Sequence, residues 1–145
     1  MKEYTIEKMK TKDYFKCDNI WNMEECEHTK IWEEEIKEGS RIVYVYKYEG
    51  EFLGECDVVV KKEGIAFPEQ QAFLSKLIVK KEDRNEGIGT ALLNFLLTLY
   101  KKKGYSYITL EVNKDNITAV NLYKSFGFEI TEENEEDFLK MTVEL

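Results

Sequence analysis

The chain has little proline, histidine or cysteine, and it has no long apolar run. Its 145 residues include one proline, one histidine and three cysteines. No segment approaches the roughly 20 consecutive apolar residues that a membrane-spanning helix requires. The first residues, Met1–Tyr4, form no apolar signal region. We therefore expect a cytoplasmic protein that has no membrane partner.

The shortage of histidine and the spacing of the cysteines restrict the available chemistry. Cys17, Cys26 and Cys56 are an odd number without paired spacing, which favours reduced thiols over a disulfide framework. His28 lies two residues from Cys26 in an acidic stretch, which indicates a surface histidine and no metal site. A single histidine also excludes most Ser-His-Asp triads, unless His28 itself serves.

Acidic residues outnumber basic ones, and the formal net charge is −8. Nucleic-acid binding requires a basic surface, so this charge disfavours a nucleic-acid partner, including an activity on charged tRNA. It fits a cationic substrate that an acidic cleft concentrates. It fits equally well a surface whose charge only maintains solubility, and both interpretations stay open.

The length and composition predict one domain over residues 1–145, since 43% of the residues are hydrophobic and 34% are charged. The apolar spacing predicts an α/β fold, with a mixed sheet that carries helices on its faces. The predicted strands are Tyr4–Met9, Ile42–Tyr48, Phe52–Val60, Phe73–Val79, Tyr105–Val112, Phe128–Thr131 and Asp137–Leu145. The predicted helices are Lys12–Lys37 with a break near residues 27–29, Ile88–Lys103, and a short helix after Asn116.

Caps and turns complete the predicted outline. Lys61–Gln71, with Gly64 and Pro68, is expected to be a loop. The expected helix N-caps are Thr29 and Asn116, and the expected helix stops are Gly39, Gly104 and Gly127.

The most informative stretch is Arg84-Asn-Glu-Gly-Ile-Gly-Thr90, between the strand ending at Val79 and the helix Ile88–Lys103. Glycines at the start of a helix leave backbone N–H groups bare, and the helix dipole adds positive charge there, so a phosphate or pyrophosphate can bind. The stretch lacks the Lys-Ser/Thr ending of a P-loop and the third glycine of a dinucleotide fingerprint. A plain strand-to-helix turn is the competing interpretation.

Two blocks of residues resemble the GNAT family of N-acetyltransferases. The first is Leu77-Ile78-Val79 followed by Arg84-x-x-Gly87-x-Gly89, and the second runs from Leu110-Glu111-Val112 through Asn116-x-x-Ala119-x-x-Leu122-Tyr123 to Gly127-Phe128. The match is specific over about residues 73–130. The resemblance implies a mixed sheet of six to seven strands flanked by about four helices.

The resemblance also implies an acetyl-CoA site without a metal. The pyrophosphate would lie on the amides of Asn85–Thr90, and the pantetheine arm would add like a strand beside Leu77–Val79. The residues implied in coenzyme binding are Leu77, Ile78, Val79, Arg84, Asn85, Glu86, Gly87, Ile88, Gly89, Thr90, Asn116, Ala119 and Tyr123. Because a carboxylate beside a pyrophosphate is unfavourable, we expect Glu86 to face solvent and Arg84 to compensate for its charge.

The implied reaction is acetylation of a primary amine on a small cationic molecule, a protein N-terminus or a lysine. An alkylammonium has a pKa near 10.4, so a base must remove a proton before the amine can attack a thioester. The resemblance assigns Glu111 as the base and Tyr123 as the acid for the leaving thiolate. Competing carboxylates are Glu55 and Asp57 on the preceding hairpin strand.

Several alternatives stay open. Tyr123 can be a core residue, Glu111 can be a polar residue on an open strand face, and Cys56 fits a buried small residue better than a nucleophile. The alternating Tyr44, Tyr46 and Tyr48 indicate a packed strand face more than a substrate cage. A non-catalytic coenzyme-binding module would keep the loop without acid or base, and a homodimer is compatible with the family.

Overall fold

The computed structural model describes residues 3–62, 65–66, 70–133 and 136–145. Its strands are β1 (Thr5–Lys8), β2 (Arg41–Tyr48), β3 (Glu51–Val59), β4 (Lys61–Lys62), β5 (Ile65–Ala66), β6 (Gln71–Val79), β7 (Tyr107–Asn113), β8 (Glu129–Glu133) and β9 (Phe138–Glu144). Its helices are α1 (Thr29–Glu38), α2 (Ile88–Lys102), α3 (Ile117–Ser125) and the 3-10 helices Thr11–Asn19 and Lys81–Asp83. No helix in this part of the chain is long and apolar enough to cross a membrane.

Seven of these strands form one mixed sheet in the order β1-β2-β3-β6-β7-β9-β8, and β4 pairs with β5 separately. The pairings are antiparallel except β6–β7, which is parallel. The predicted α/β fold with a mixed sheet of six to seven strands is therefore confirmed.

The sheet has a helical layer on each face. On one face, α2 and α3 pack on the main core, to which α2 contributes Leu92, Leu93 and Leu96. On the other face, the Thr11–Asn19 helix and α1 cover a smaller cluster that includes Tyr14 and Cys17. Because side chains alternate along a strand, neighbouring residues of β3 and β6 serve different layers.

The parallel pair β6–β7 separates partway along its length. The paired residues of β6 and β7 run from Gln71 with Tyr107 to Leu74 with Leu110. On its other edge, β6 stays paired with β3 as far as Val79. The β3–β6 register shifts beside Ser75, at the point where the separation begins. A cleft therefore opens between the two strands at their carboxyl ends.

The N-terminal end of α2 sits very close to β3 at Gly54. A Cβ atom at Gly54 would lie 2.9 Å from Ile88 Cγ2 and 3.1 Å from Leu92 Cδ1. Such contacts force a neighbour to move. Glycine at this position therefore allows the helix to approach the sheet beside the cleft.

Some expected boundaries are wrong. The Lys12–Lys37 segment contains a 3-10 helix that stops at Asn19 and an α-helix that starts at Thr29. Thr29 is the first residue of α1 and not its N-cap, because its hydroxyl donates to the carbonyls of Met23 and Cys26. The Lys61–Gln71 segment includes β4 and β5 and the first residue of β6; Gly64 and Pro68 lie outside the described residues.

Other expected boundaries are confirmed. Asn116 is the N-cap of α3, and its side chain accepts a hydrogen bond from the Ala119 N–H at 3.2 Å. The three expected stop glycines all have left-handed backbone, at Gly39, Gly104 and Gly127.

Candidate active site

A cleft of about 630 Å³ lies where β6 and β7 separate. Its lining residues are Leu77, Ile78, Val79, Asp83, Arg84, Asn85, Gly87, Ile88, Gly89, Thr90, Asn116, Thr118, Ala119, Leu122 and Tyr123. The cleft brings together the strand, the glycine loop and α3, which are separated along the chain. Asp83, Thr118 and Leu122 were not expected here, although the helical spacing from Ala119 to Leu122 is a signal that could have found Leu122.

The loop before α2 is shaped to expose backbone N–H groups. Asn85 and Gly87 adopt left-handed backbone, with φ of 66° and 85°. Gly87 is the N-cap of α2 and has no side-chain cap hydrogen bond, and the Gly87 carbonyl first accepts from the Ala91 N–H. The N–H groups that precede Ala91 in the helix are therefore available to an anion, at the positive end of the helix dipole.

Gly89 lies on the wall of the cleft with room around it. A Cβ atom there would lie 3.8 Å from Leu122 Cδ2 and 3.9 Å from Val79 Cγ2, which are ordinary contact distances. Its φ is not in the left-handed range. Packing within the protein therefore does not require glycine at this position, and the absence of a side chain leaves the backbone open to the cleft.

The charged residues of the loop point in different directions. Glu86 is exposed and is not among the described residues that line the cleft. The Arg84 guanidinium donates from Nε to the Val79 carbonyl at 3.1 Å, and Arg84 lines the cleft. A positive side chain thus lies between the strand and the loop.

Tyr123 is both a core residue and a lining residue. It is 8% exposed, and its ring packs at 5.6 Å from that of Phe128. Burial raises the pKa of Tyr123 to about 12, so its hydroxyl keeps its proton well into the alkaline range.

Glu111 is placed differently from Tyr123. It is exposed, and it lies on the sheet face opposite to Leu110 and Val112, which belong to the main core with Tyr123. Glu111 is not among the described residues that line the cleft. The two residues therefore face opposite sides of the sheet beside the opening between β6 and β7.

The competing carboxylates Glu55 and Asp57 are buried under the Thr11–Asn19 helix and α1. Arg41 Nη1 lies 2.9 Å from Asp57 Oδ2, and Lys76 Nζ lies 3.7 Å from Glu55 Oε2. Burial, followed by the neighbouring Glu55 carboxylate, raises the pKa of Asp57 above its ordinary range, against the opposing pull of Lys76 and Arg41. The Asp57 side chain is only 1% exposed, so water cannot solvate its ionised form.

The remaining candidates belong to the core or the surface. Cys56 is fully buried in the main core, and burial raises the pKa of its thiol. Tyr44 and Tyr46 are also buried there, and the Tyr44 hydroxyl lies 3.0 Å from that of Tyr100. Within the described ranges, no cluster of three or more His, Cys, Asp or Glu residues could hold a metal ion.

Comparison with known families matches residues 4–128 to the acetyltransferase (GNAT) family. Among curated proteins, the [ribosomal protein bS18]-alanine N-acetyltransferase of Escherichia coli is 36% identical over 58 residues, or 40% of this chain and 39% of that protein. Human N-acetyltransferase 8B is 35% identical over 63 residues, or 43% of this chain and 28% of that protein. The first relatives matched are covered over only 22–39% of their own length.

Solved structures extend the likeness to nearly the whole chain. One of them is the paia N-acetyltransferase from Thermoplasma acidophilum, solved in complex with coenzyme A. It aligns with a TM-score of 0.75 at 17% identity, and the alignment covers 99% of each chain. An N-acetyltransferase from Staphylococcus aureus Mu50 has a TM-score of 0.77 at 17% identity, over 98% of both chains. At these identities the likeness shows the fold.

Proposed function

Because the chain belongs to the acetyltransferase (GNAT) family, we propose that it transfers an acetyl group from acetyl-CoA to a primary amine. The observation that carries this proposal is the cleft between β6 and β7, which ends at the uncapped N-terminus of α2. Acetyl-CoA supplies an activated acetyl thioester when it is bound. The chain supplies binding, orientation and proton transfer.

The cleft fits the two parts of the coenzyme that binding must hold. The bare N–H groups at the start of α2 and the Arg84 guanidinium are donors for a pyrophosphate. Beyond Leu74, β6 has no β7 partner among the described residues, so its edge can pair with the amides of a pantetheine arm, as in β-augmentation. The N–H groups of Leu77 and Val79 are our candidates for polarising the thioester carbonyl.

The proton transfers are assigned to residues on both sides of the opening. The exposed Glu111 takes the proton from the acceptor ammonium, directly or through water. The Tyr123 hydroxyl holds a proton on the α3 side and donates it to the leaving thiolate. An amine and the coenzyme can thus approach from opposite faces of the sheet.

Two observations support a cationic acceptor. The net charge of −8 favours approach of positive molecules. The E. coli relative is a [ribosomal protein bS18]-alanine N-acetyltransferase, which supports a protein N-terminus as one acceptor class. A small cationic amine is the other.

The experiment is thiol release from acetyl-CoA over a panel of primary amines, with mass-spectrometric detection of the acetylated product. Removing the acid and the base together, in Tyr123→Phe with Glu111→Gln, should lower kcat by roughly 10²–10⁴-fold or more. The double variant should keep the thermal stabilisation by acetyl-CoA, because neither change removes a donor at the start of α2. Turnover equal to that of the unchanged protein would show that the two roles are wrongly assigned.

Glu111 lies outside the cleft lining, and this observation favours one alternative, a non-catalytic coenzyme-binding module. A module of this kind would be stabilised by acetyl-CoA but would release no thiol with any amine. The same panel therefore separates the two functions.

A further inference from the structure

The ammonium of Lys76 lies in a chamber made of two indole rings and a carboxylate. Lys76 Nζ is 3.6 Å from the centroid of the Trp21 ring and 4.1 Å from that of Trp32. The two rings meet edge to face, with centroids 5.7 Å apart. Glu55 completes the chamber: its Oε2 lies 3.7 Å from Lys76 Nζ, and its Oε1 accepts a hydrogen bond from Trp21 Nε1. Aromatic faces and a buried carboxylate are the groups that recognise an organic cation.

The lysine that fills the chamber leaves some of the buried polar atoms around it without a hydrogen bond. Among the described residues, four buried atoms have no hydrogen-bond partner: Glu55 Oε2, Lys76 Nζ, Asp57 Oδ1 and the Tyr14 hydroxyl oxygen. Glu55 is 0% exposed. Buried acceptors without a donor cost stability. A primary ammonium with three freely placed N–H donors would pair with them better than the tethered lysine does.

The neighbouring cation, Arg41, is held much more firmly than Lys76. Arg41 makes contacts of 2.9 Å to both Glu35 and Asp57 and is 5% exposed. Lys76 has one long ion pair, a flexible stem and 13% exposure. By these distances Lys76 is the more weakly paired of the two cations.

The chamber lies beside the candidate active site. Lys76 directly precedes Leu77, which lines the cleft, and Glu55 is the register partner of Ile78, which also lines it. The chamber covers the β3–β6 pair, and the cleft opens on the far edge of β6. Because neighbouring strands are about 4.8 Å apart, the two places are separated by on the order of 5–10 Å.

We propose that this chamber is a subsite for a second ammonium of the acceptor, which Lys76 occupies until the acceptor displaces it. The inference rests on the proposed function and names its substrate class: linear diamines, with one nitrogen bound as a cation between Trp21 and Trp32 and the other presented at the cleft. A cation held between two rings stays protonated and is not the reacting nitrogen. The selected acceptors therefore carry two amino groups.

Tryptophan fluorescence tests the chamber directly, because the chain has two tryptophans and both line it. Titration with putrescine, at constant ionic strength, should give a saturable change. Lys76→Met removes the competing occupant and should tighten putrescine binding by about tenfold, and Glu55→Gln, which keeps an acceptor for Trp21, should weaken it by at least about tenfold. Lys47→Met, at an exposed ion pair with Glu7, is the matched control and should change nothing.

The outcomes separate the subsite from the reaction. The subsite is overturned if putrescine gives no saturable response in the unchanged protein, or if Glu55→Gln leaves the response intact. The measurement on the unchanged protein decides the question even if Lys76→Met does not fold. In thiol release, putrescine should exceed n-butylamine in kcat/KM by at least about tenfold, mainly through KM, and Glu55→Gln should abolish this preference. Equal kcat/KM for the two amines overturns the selection of diamines. A fluorescence response without thiol release from any amine would leave the ammonium site standing and remove the proposed function.

Discussion

At the residue scale, Gly89 is a position where a side chain should hinder ligand binding without lowering the stability of the fold. A Cβ atom at this position meets only ordinary contacts, at 3.8 Å and 3.9 Å. The same atom would project from the wall where the pyrophosphate is expected to approach the backbone. A substitution here can therefore act on binding alone.

We predict that Gly89→Ala keeps or raises the free energy of unfolding, by up to about 1 kcal/mol, because alanine is favoured over glycine in a helix. It should weaken acetyl-CoA binding by at least about tenfold, or 1.4 kcal/mol. Urea denaturation and calorimetric titration measure the two quantities. Ala91→Ser, in the same turn of α2 but outside the cleft lining, should change affinity little. Full affinity in Gly89→Ala would remove Gly89 from the site.

At the element scale, the position of α2 depends on Gly54 of β3. The Cβ of Gly54→Ala would come within 2.9 Å of Ile88, the first residue of α2. We predict a loss of about 1–3 kcal/mol in the free energy of unfolding, as overpacking produces. Acetyl-CoA affinity should fall as well, because the moved end of α2 carries the donors for the pyrophosphate.

Gly39→Ala provides a control with a similar cost in stability. Gly39 has a φ of 83° and open space around it, and it lies at the end of α1 and outside the cleft lining. An alanine in this left-handed backbone conformation should lower the free energy of unfolding by about 1–2 kcal/mol. If Gly39→Ala and Gly54→Ala weaken acetyl-CoA equally, the loss comes from general destabilisation and not from the position of α2.

The elements that could be predicted from the sequence are those whose signals are local. The glycine loop, the α2 periodicity and the Asn116 cap lie within a few residues of the features that they specify, and the structure has all three. Thr29 failed as a cap because its hydroxyl bonds to carbonyls of the preceding turn, Met23 and Cys26. A cap motif and a turn of this kind look alike in sequence.

Side chains that meet only through packing could not be predicted. Trp21 and Trp32 belong to the layer over the sheet, and Glu55 and Lys76 belong to two different strands. Their convergence depends on the β3–β6 register and its shift beside Ser75, which no local pattern records. Likewise, the family resemblance that implied Glu111 as the base could not show that it lies outside the cleft lining.

At the scale of the whole molecule, buried tyrosines make stability depend on pH in the alkaline range. An unfolded tyrosine ionises near pH 10, whereas burial raises the pKa of Tyr123 to about 12 and also raises those of Tyr14, Tyr44 and Tyr100. The unfolded chain therefore releases protons first. The stabilisation is complete below about pH 10 and is lost as the pH rises through the folded-state values.

We predict that the free energy of unfolding, measured in urea, begins to fall above about pH 8.5, where the thiols of the buried Cys17 and Cys56 ionise in the unfolded chain. It should fall more steeply above about pH 10, with Tyr123 contributing about 2–3 kcal/mol of the loss by pH 12. Tyr123→Phe should reduce the slope by the equivalent of one proton. A slope that is the same in both proteins would show that Tyr123 ionises alike in the folded and unfolded chains.

The sheet as a whole divides the expected reaction into two sides. The start of α2 and Tyr123 lie on one face, and Glu111 and the chamber of Trp21, Trp32 and Glu55 lie on the other. The opening between β6 and β7 is the place where the two sides meet. The account therefore depends first on whether the coenzyme binds in that opening.

The measurement that tests this most directly is the melting temperature with and without acetyl-CoA, with ATP and NAD as controls. At 100 times its dissociation constant, acetyl-CoA should add about 2.7 kcal/mol of stability. We predict a clear upward shift with acetyl-CoA, none with ATP or NAD, and a much smaller one in Gly89→Ala. No shift at millimolar acetyl-CoA, or an equal shift with ATP, would contradict the account.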